Sequence, residues 1–258
     1  PVLTSVKARH KGSVDRVVFG FDSGVPASVQ ATWVDTLAHD GSGLPVRVAG
    51  SKVLSVVMTG AVAHDTAPTT RARTAFALPN VITAVRAGDF EGVVSFGLGV
   101  QRQTPYTVKT KADRVVVKVD AGFATTARGV WLVDRHAFAT GQEPFVARVS
   151  RPVPAGAPAA GVLHVLFAGP TPGERARGLR LVLSHAWEFT DLSIVGGIAR
   201  VRLTHSCNSN GSTLTIAAEI MPTLRQFPTV DWVKIYAPNG QTENPSGSSD
   251  SIPTCLEP

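Results

Sequence analysis

The chain has 258 residues, 43% of them hydrophobic and 17% charged, which is ample material for one large or two ordinary cores and excludes a self-repelling disordered polymer. No window approaches the ~18 consecutive apolar residues of a membrane span. The formal charge of +6 is uneven: through Gly122, 14 Lys and Arg stand against 9 Asp and Glu, and beyond it 11 stand against 10.

A basic first half favours an anionic partner. Nucleic acid ranks low, because no run of Lys and Arg is interleaved with aromatics. From Ser13 to Gly122 short β-branched runs alternate with Gly, Pro, Asp and Ser, the pattern of an all-β sandwich or barrel. In Asp15 to Asp22, residues Val17, Phe19 and Phe21 share one face of a strand, so Arg16 points away from the core. Asp113 to Asp120 repeats the pattern, with Val115, Val117 and Val119 inward and Arg114 and Lys118 outward. Between them strands are expected near 30–35, 45–48, 52–59, 92–100 and 106–109, with a short helix over Leu78–Arg86. The first domain is read as 1–122 and a linker of small residues as 123–129.

The second domain, 130–258, opens with strands at 130–133 and 144–149. A Pro- and Gly-rich connector leads to a helix over Ala159–Phe167, where Val162, Leu163, Leu166 and Phe167 recur at helical spacing, and Gly169-Pro170 stops it. A further helical turn over 173–177 and strands at 179–183 and 189–194 follow. Gly196-Gly197 signals a hairpin into 198–203. Ser212 or Thr213 is expected to cap a helix reaching Phe227, with Leu214, Ala217, Met221 and Leu224 as its stripe and Pro222 kinking it. A last strand spans 230–236 and a polar tail ends the chain. This domain is α+β.

The two cysteines, Cys207 and Cys255, lie in loop-rich sequence and suit a disulfide in an oxidising compartment. A nucleophilic Cys207 beside His205 lacks an orienting third group. His39-Asp40 and His64-Asp65 sit at turns, where solvated polar residues belong, and no HExxH or CxxC offers a metal site. Asp89 and Glu91 are a weak carboxylate pair for glycoside cleavage. No GxSxG elbow, Walker loop or dinucleotide fingerprint occurs. The expectation is a protein without catalytic residue, cofactor or metal.

With these motifs in place, the first domain resembles the AMIN-like domain of actinobacterial envelope lipoproteins, through DRVVFGF, DGSGLPVRV, AGDFEGVVSFGLG and DRVVVKVD in order. The second resembles the GerMN domain of spore-germination and envelope proteins, through LFAGPTPGERARGL, IVGGIARVRL and PTLRQFPTVDWVKIY. The resemblance implies a mainly β plus α+β architecture, a β-sandwich followed by a compact domain with two helices on a sheet. It also implies an exported, extracytoplasmic protein of the cell envelope, touching membrane only through a lipid anchor outside this chain. The expected partner is cell-wall glycan (peptidoglycan) or an anionic wall polymer, bound through Arg16, Arg114 and Lys118. The alternative is an assembly module whose GerMN-like domain packs against an envelope protein partner.

Overall fold

Alternation of core and outward residues shapes several of the first unit's strands. Along β2 (Val14–Phe21) Asp15, Val17, Phe19 and Phe21 are buried while Arg16, Val18 and Gly20 are only partly so. The computed structural model describes residues 1–258 and separates into units Pro1–Thr125 and Thr126–Pro258.

In the first unit β2 pairs with β1 (Leu3–Lys11) on one side and β11 (Arg114–Asp120) on the other. Beyond β11 lies β10 (Tyr106–Lys111). The second sheet has five strands: β3 (Ser28–Val34), β6 (Lys52–Thr59), β9 (Val93–Val100), β8 (Val81–Phe90) and β7 (Arg73–Ala75), in that spatial order. Val17, Phe19 and Val117 of one sheet share a core with Leu54, Met58 and Phe96 of the other, and the Phe19 and Phe96 rings lie 5.2 Å apart. Each such side chain contributes about 1.5–3 kcal/mol by leaving water. The result is a β-sandwich.

The expected helix over Leu78–Arg86 is strand β8. Residues 81–85 are all buried, because the small pair β4 (Leu37–Ala38) and β5 (Pro45–Val46) belongs to a segment covering the other side of that sheet. Leu37, Val53 and Ala87 form a second cluster there with Val46 and Val48. A strand buried on both faces shows no alternation and reads like a buried helix. The same covering explains two glycines of β9. A Cβ on Gly97 would lie 2.5 Å from Leu37 Cδ2, and one on Gly99 would lie 1.9 Å from the Ala49 carbonyl oxygen.

In the second unit β12 (Thr125–Asp134) lies between β13 (Val146–Pro154) and β14 (Leu179–Arg180), and β16 (Ile198–His205) lies between β15 (Ala186–Val195) and β17 (Trp232–Tyr236). Strand β12 already includes residues 125–129, the end of the stretch read as linker. Helix α1 (Arg135–Thr140) is capped by Asp134. Helix α2 (Pro158–Ala168) packs on β13, β15 and α4 (Ala217–Arg225), and α4 packs on β17. Two helices therefore cover a sheet, as expected.

Helix α4 starts later than the capping signal suggested. Ser212 Oγ accepts the Leu214 N–H at 3.1 Å and donates to the Leu214 carbonyl at 2.9 Å, a local turn that spends the hydroxyl before the helix begins. The buried stripe runs through Ala217, Ile220, Thr223 and Leu224 with Glu219, while Met221 is half-buried. The strand expected over 179–183 stops at Arg180, and the Val182 N–H donates to Glu219 Oε2 at 3.0 Å.

Candidate binding face

The three basic residues singled out from sequence fall on one face of the four-stranded sheet. Arg16 stands opposite Lys118, and Arg114 stands opposite Gly20. The face is larger than sequence reasoning made it. On β1, Lys7, Arg9 and Lys11 alternate with the inward Val6 and Ala8, and on β10, Lys109 and Lys111 alternate with the inward Tyr106 and Val108. Strand β1 was not anticipated at all, because its alternating residues are basic outside and only moderately apolar inside. Their spacing of two in KARHK and KTK was the available signal.

Register sorts these cations into ranks. Arg9, Arg16 and Lys118 form one rank, and Lys7, Val18, Val116 and Lys109 form the next. Gly20, Arg114 and Lys111 complete the third. Of these eight cations only Arg114 is in an ion pair, its Nε lying 2.8 Å from Asp113 Oδ1. Asp120 is the one acidic residue at an outward position, and its Oδ1 accepts the Gly122 N–H. Lys7, Arg9, Arg16, Val18 and Arg114 line a depression of about 410 Å³. Val116 is buried, as expected where long basic stems lie across a neighbouring valine.

The sites weighed for chemistry are spent on structure. His39 Nδ1 lies 2.9 Å from the Ala87 carbonyl, and the Ser95 hydroxyl donates to Asp40 Oδ2 at 2.6 Å. Asp89 holds His64 Nδ1 at 2.9 Å and accepts the Ala63 N–H, while Glu91 sits exposed at the β8–β9 turn. Cys207 and Cys255 are joined by a disulfide, so Cys207 is no nucleophile. Beside that bond the tail is stitched to β17: the Ile235 N–H donates to Ser251 O at 2.9 Å and the Ser251 N–H to Val233 O at 3.1 Å.

Two buried carboxylates shape the second unit. Thr171 and Glu174 form a capping box at α3 (Pro172–Ala176). Glu174 also meets the guanidinium of Arg151 through two hydrogen bonds, at 2.7 and 2.5 Å. Burial pushes the Glu174 carboxyl up, but Arg151 and Thr171 outweigh it and hold it below its ordinary value. Glu219 has no such cation. It accepts only the Val133 and Val182 N–H groups, and burial pushes its carboxyl up to about 8.

Together these features define a β-sandwich with a basic face that is largely without carboxylate partners, followed in sequence by a small disulfide-closed α+β unit whose buried carboxylates bond Arg151 and backbone N–H groups. The chain carries an AMIN-like domain, matched over residues 1–121, and a domain of the sporulation and spore germination (Germane, or GerMN) family, matched over residues 133–243. Neither is a known catalytic family. No curated protein and no solved structure matches the chain.

Proposed function

We propose that the protein is a non-catalytic, extracytoplasmic component of the cell envelope that holds peptidoglycan or an anionic wall polymer on the outer face of its AMIN-like sandwich. The observation that carries this reading is the set of ranked cations on one face, nearly all of them without a carboxylate. Envelope-associated modules are where AMIN-like domains occur, and cell-wall binding is the role generally associated with them. Arg16, Arg114 and Lys118 lie in the middle strands of the face and are the residues expected to meet the ligand first. No helix is long and apolar enough to cross a membrane.

Co-sedimentation of the full chain with purified cell walls tests the reading. Retention at low ionic strength that weakens steeply as salt shortens the screening length supports it. A chain that stays in solution at low salt overturns it.

A second reading rests on a separate observation in the GerMN domain. Val195, Ile198 and Trp232 occupy one cross-strand row at the tip of the β15–β16 hairpin, and Val195 and Trp232 are exposed. Such a row suits packing against an envelope protein or another copy, making this domain an assembly module. Sedimentation velocity across a wide concentration range, with cross-linking in cells, tests it: a strict monomer with no partner recovered removes it.

A further inference from the structure

We propose that the ligand of the basic face is a linear phosphodiester polymer lying along the strands over Val18 and Val116, with successive phosphates at successive ranks of cations; this rests on the wall-binding reading above and names its ligand class.

The argument begins with spacing. Outward residues on a strand recur every ~6.6 Å, and the outer strands β1 and β10 stand about 14 Å apart across three strand intervals. The ranks are Arg9–Arg16–Lys118, then Lys7–Lys109, then Arg114–Lys111. The middle rank has valines at its centre and lysines at its rims, so a low apolar step separates two ranks whose cations stand on the middle strands. A chain of phosphates separated by three-carbon linkers carries one anion per ~7 Å, close to the two-residue step of a strand. One phosphate then passes over the valines, met from the rims by Lys7 and Lys109, and its neighbours on either side meet Arg16 with Lys118 and Arg114 with Lys111.

Electrostatics points the same way. Arg9, Arg16 and Lys118 are neighbours across three adjacent strands, and like charges placed opposite one another destabilise a sheet. Anions inserted among them remove that repulsion. Guanidinium forks engage two oxygens of one phosphate, and lysines act as point charges beside it.

Other polyanions fit less well. The outward positions of all four strands hold no aromatic residue, so the face lacks the stacking platform used for single-stranded nucleic acid. Val18 and Val116 are sunk among the basic side chains rather than protruding, and an interfacial membrane binder inserts protruding apolar groups. The stem peptides that carry the carboxylates of peptidoglycan recur only once per disaccharide, a longer step than the ranks.

The test uses the full chain and poly(glycerol phosphate) of defined lengths, titrated at about 0.15 M salt. The comparison ligands are poly-glutamate of equal charge, peptidoglycan stripped of phosphate polymer, phosphatidylglycerol vesicles and single-stranded DNA. The expected result is at least tenfold tighter binding of poly(glycerol phosphate) than of any other, with affinity rising up to about three or four repeats and then levelling. The exposed double variant Lys109→Glu/Lys111→Glu is expected to lose at least tenfold, while Arg135→Glu/Arg177→Glu, the same charge change in the other domain, keeps wild-type affinity. Equal or tighter binding of poly-glutamate, stripped peptidoglycan, vesicles or DNA, lost in the Lys109/Lys111 variant, overturns the phosphodiester assignment and leaves the basic face as a polyanion site. Binding of every ligand that is indifferent to the Lys109/Lys111 change overturns the face itself.

Discussion

Arg16 and Lys118 stand directly opposite each other in the antiparallel pair β2–β11, with Arg9 opposite Arg16 on the other side. Facing like charges cost stability, and facing opposite charges contribute roughly 0.2–1 kcal/mol. Lys118→Glu should therefore raise the stability of the protein by up to about 1 kcal/mol at low salt, and the gain should shrink in concentrated salt. The same change should weaken retention on cell walls. Thermal denaturation at two ionic strengths, beside co-sedimentation, separates the two effects; a variant less stable than wild type at low salt contradicts the cross-strand repulsion.

Gly99 is required by a close approach rather than by its backbone angle. A Cβ there would sit 1.9 Å from the Ala49 carbonyl oxygen and 2.8 Å from Thr83 Cγ2. Gly99→Ala should cost about 1–3 kcal/mol through forced displacement of the covering segment. Gly92→Ala, at a turn with nothing within 4 Å but a φ of +75°, serves as a comparison for backbone strain without crowding. Urea denaturation of both variants gives the answer, and a neutral Gly99→Ala removes the crowding argument.

Arg151 and Glu174 form a buried pair, and deleting one partner strands the other's charge. Arg151→Met should destabilise by about 3–5 kcal/mol. The folded Glu174 carboxyl titrates below its ordinary 4.5, so its contribution is present above that pH and is lost as the pH falls through the folded value. Arg151→Met should abolish that acid limb in a plot of stability against pH.

Glu219 behaves in the opposite sense. Its folded pKa of about 8 lies above the ordinary 4.5, so the folded state prefers the protonated acid. Its contribution is complete below about pH 4.5 and is lost as the pH rises through about 8. Glu219→Gln should remove this alkaline decline. It also replaces one acceptor by a donor facing the Val133 or Val182 N–H, at a cost of about 1–3 kcal/mol near pH 5. Denaturant midpoints from pH 5 to 9 check both parts; a wild-type midpoint flat across that range counts against the burial argument.

The disulfide joins residues 48 apart. In the chain-entropy account, closing a loop of that length stabilises by about 4 kcal/mol. Cys207→Ser should lower the melting temperature and speed amide exchange in the tail around Ser251, while wall retention by the basic face stays unchanged. Thiol counting of the unreduced wild type gives a direct check, since two reactive thiols would show the bond is not formed.

What the sequence by itself determined is whatever depends on a residue and its near neighbours. Alternation through Val17, Phe19 and Phe21 turned Arg16 outward, the same pattern turned Arg114 and Lys118 outward, and Gly169-Pro170 ended α2. The motif order separated a sandwich from an α+β domain. Tertiary structure decided what depends on residues distant in the chain. Register placed Lys118 against Arg16 and brought β1 and β10 alongside, turning isolated cations into ranks; a period of two fixes a side chain's face but not its neighbour across the sheet. Packing on both faces erased the alternation of β8 and made it resemble a helix. A local hydroxyl turn at Ser212 took the capping group that would have started α4 early. Glu219 and Glu174, both acidic residues on helices, acquired opposite titration behaviour because folding gave an arginine to one and only backbone N–H groups to the other.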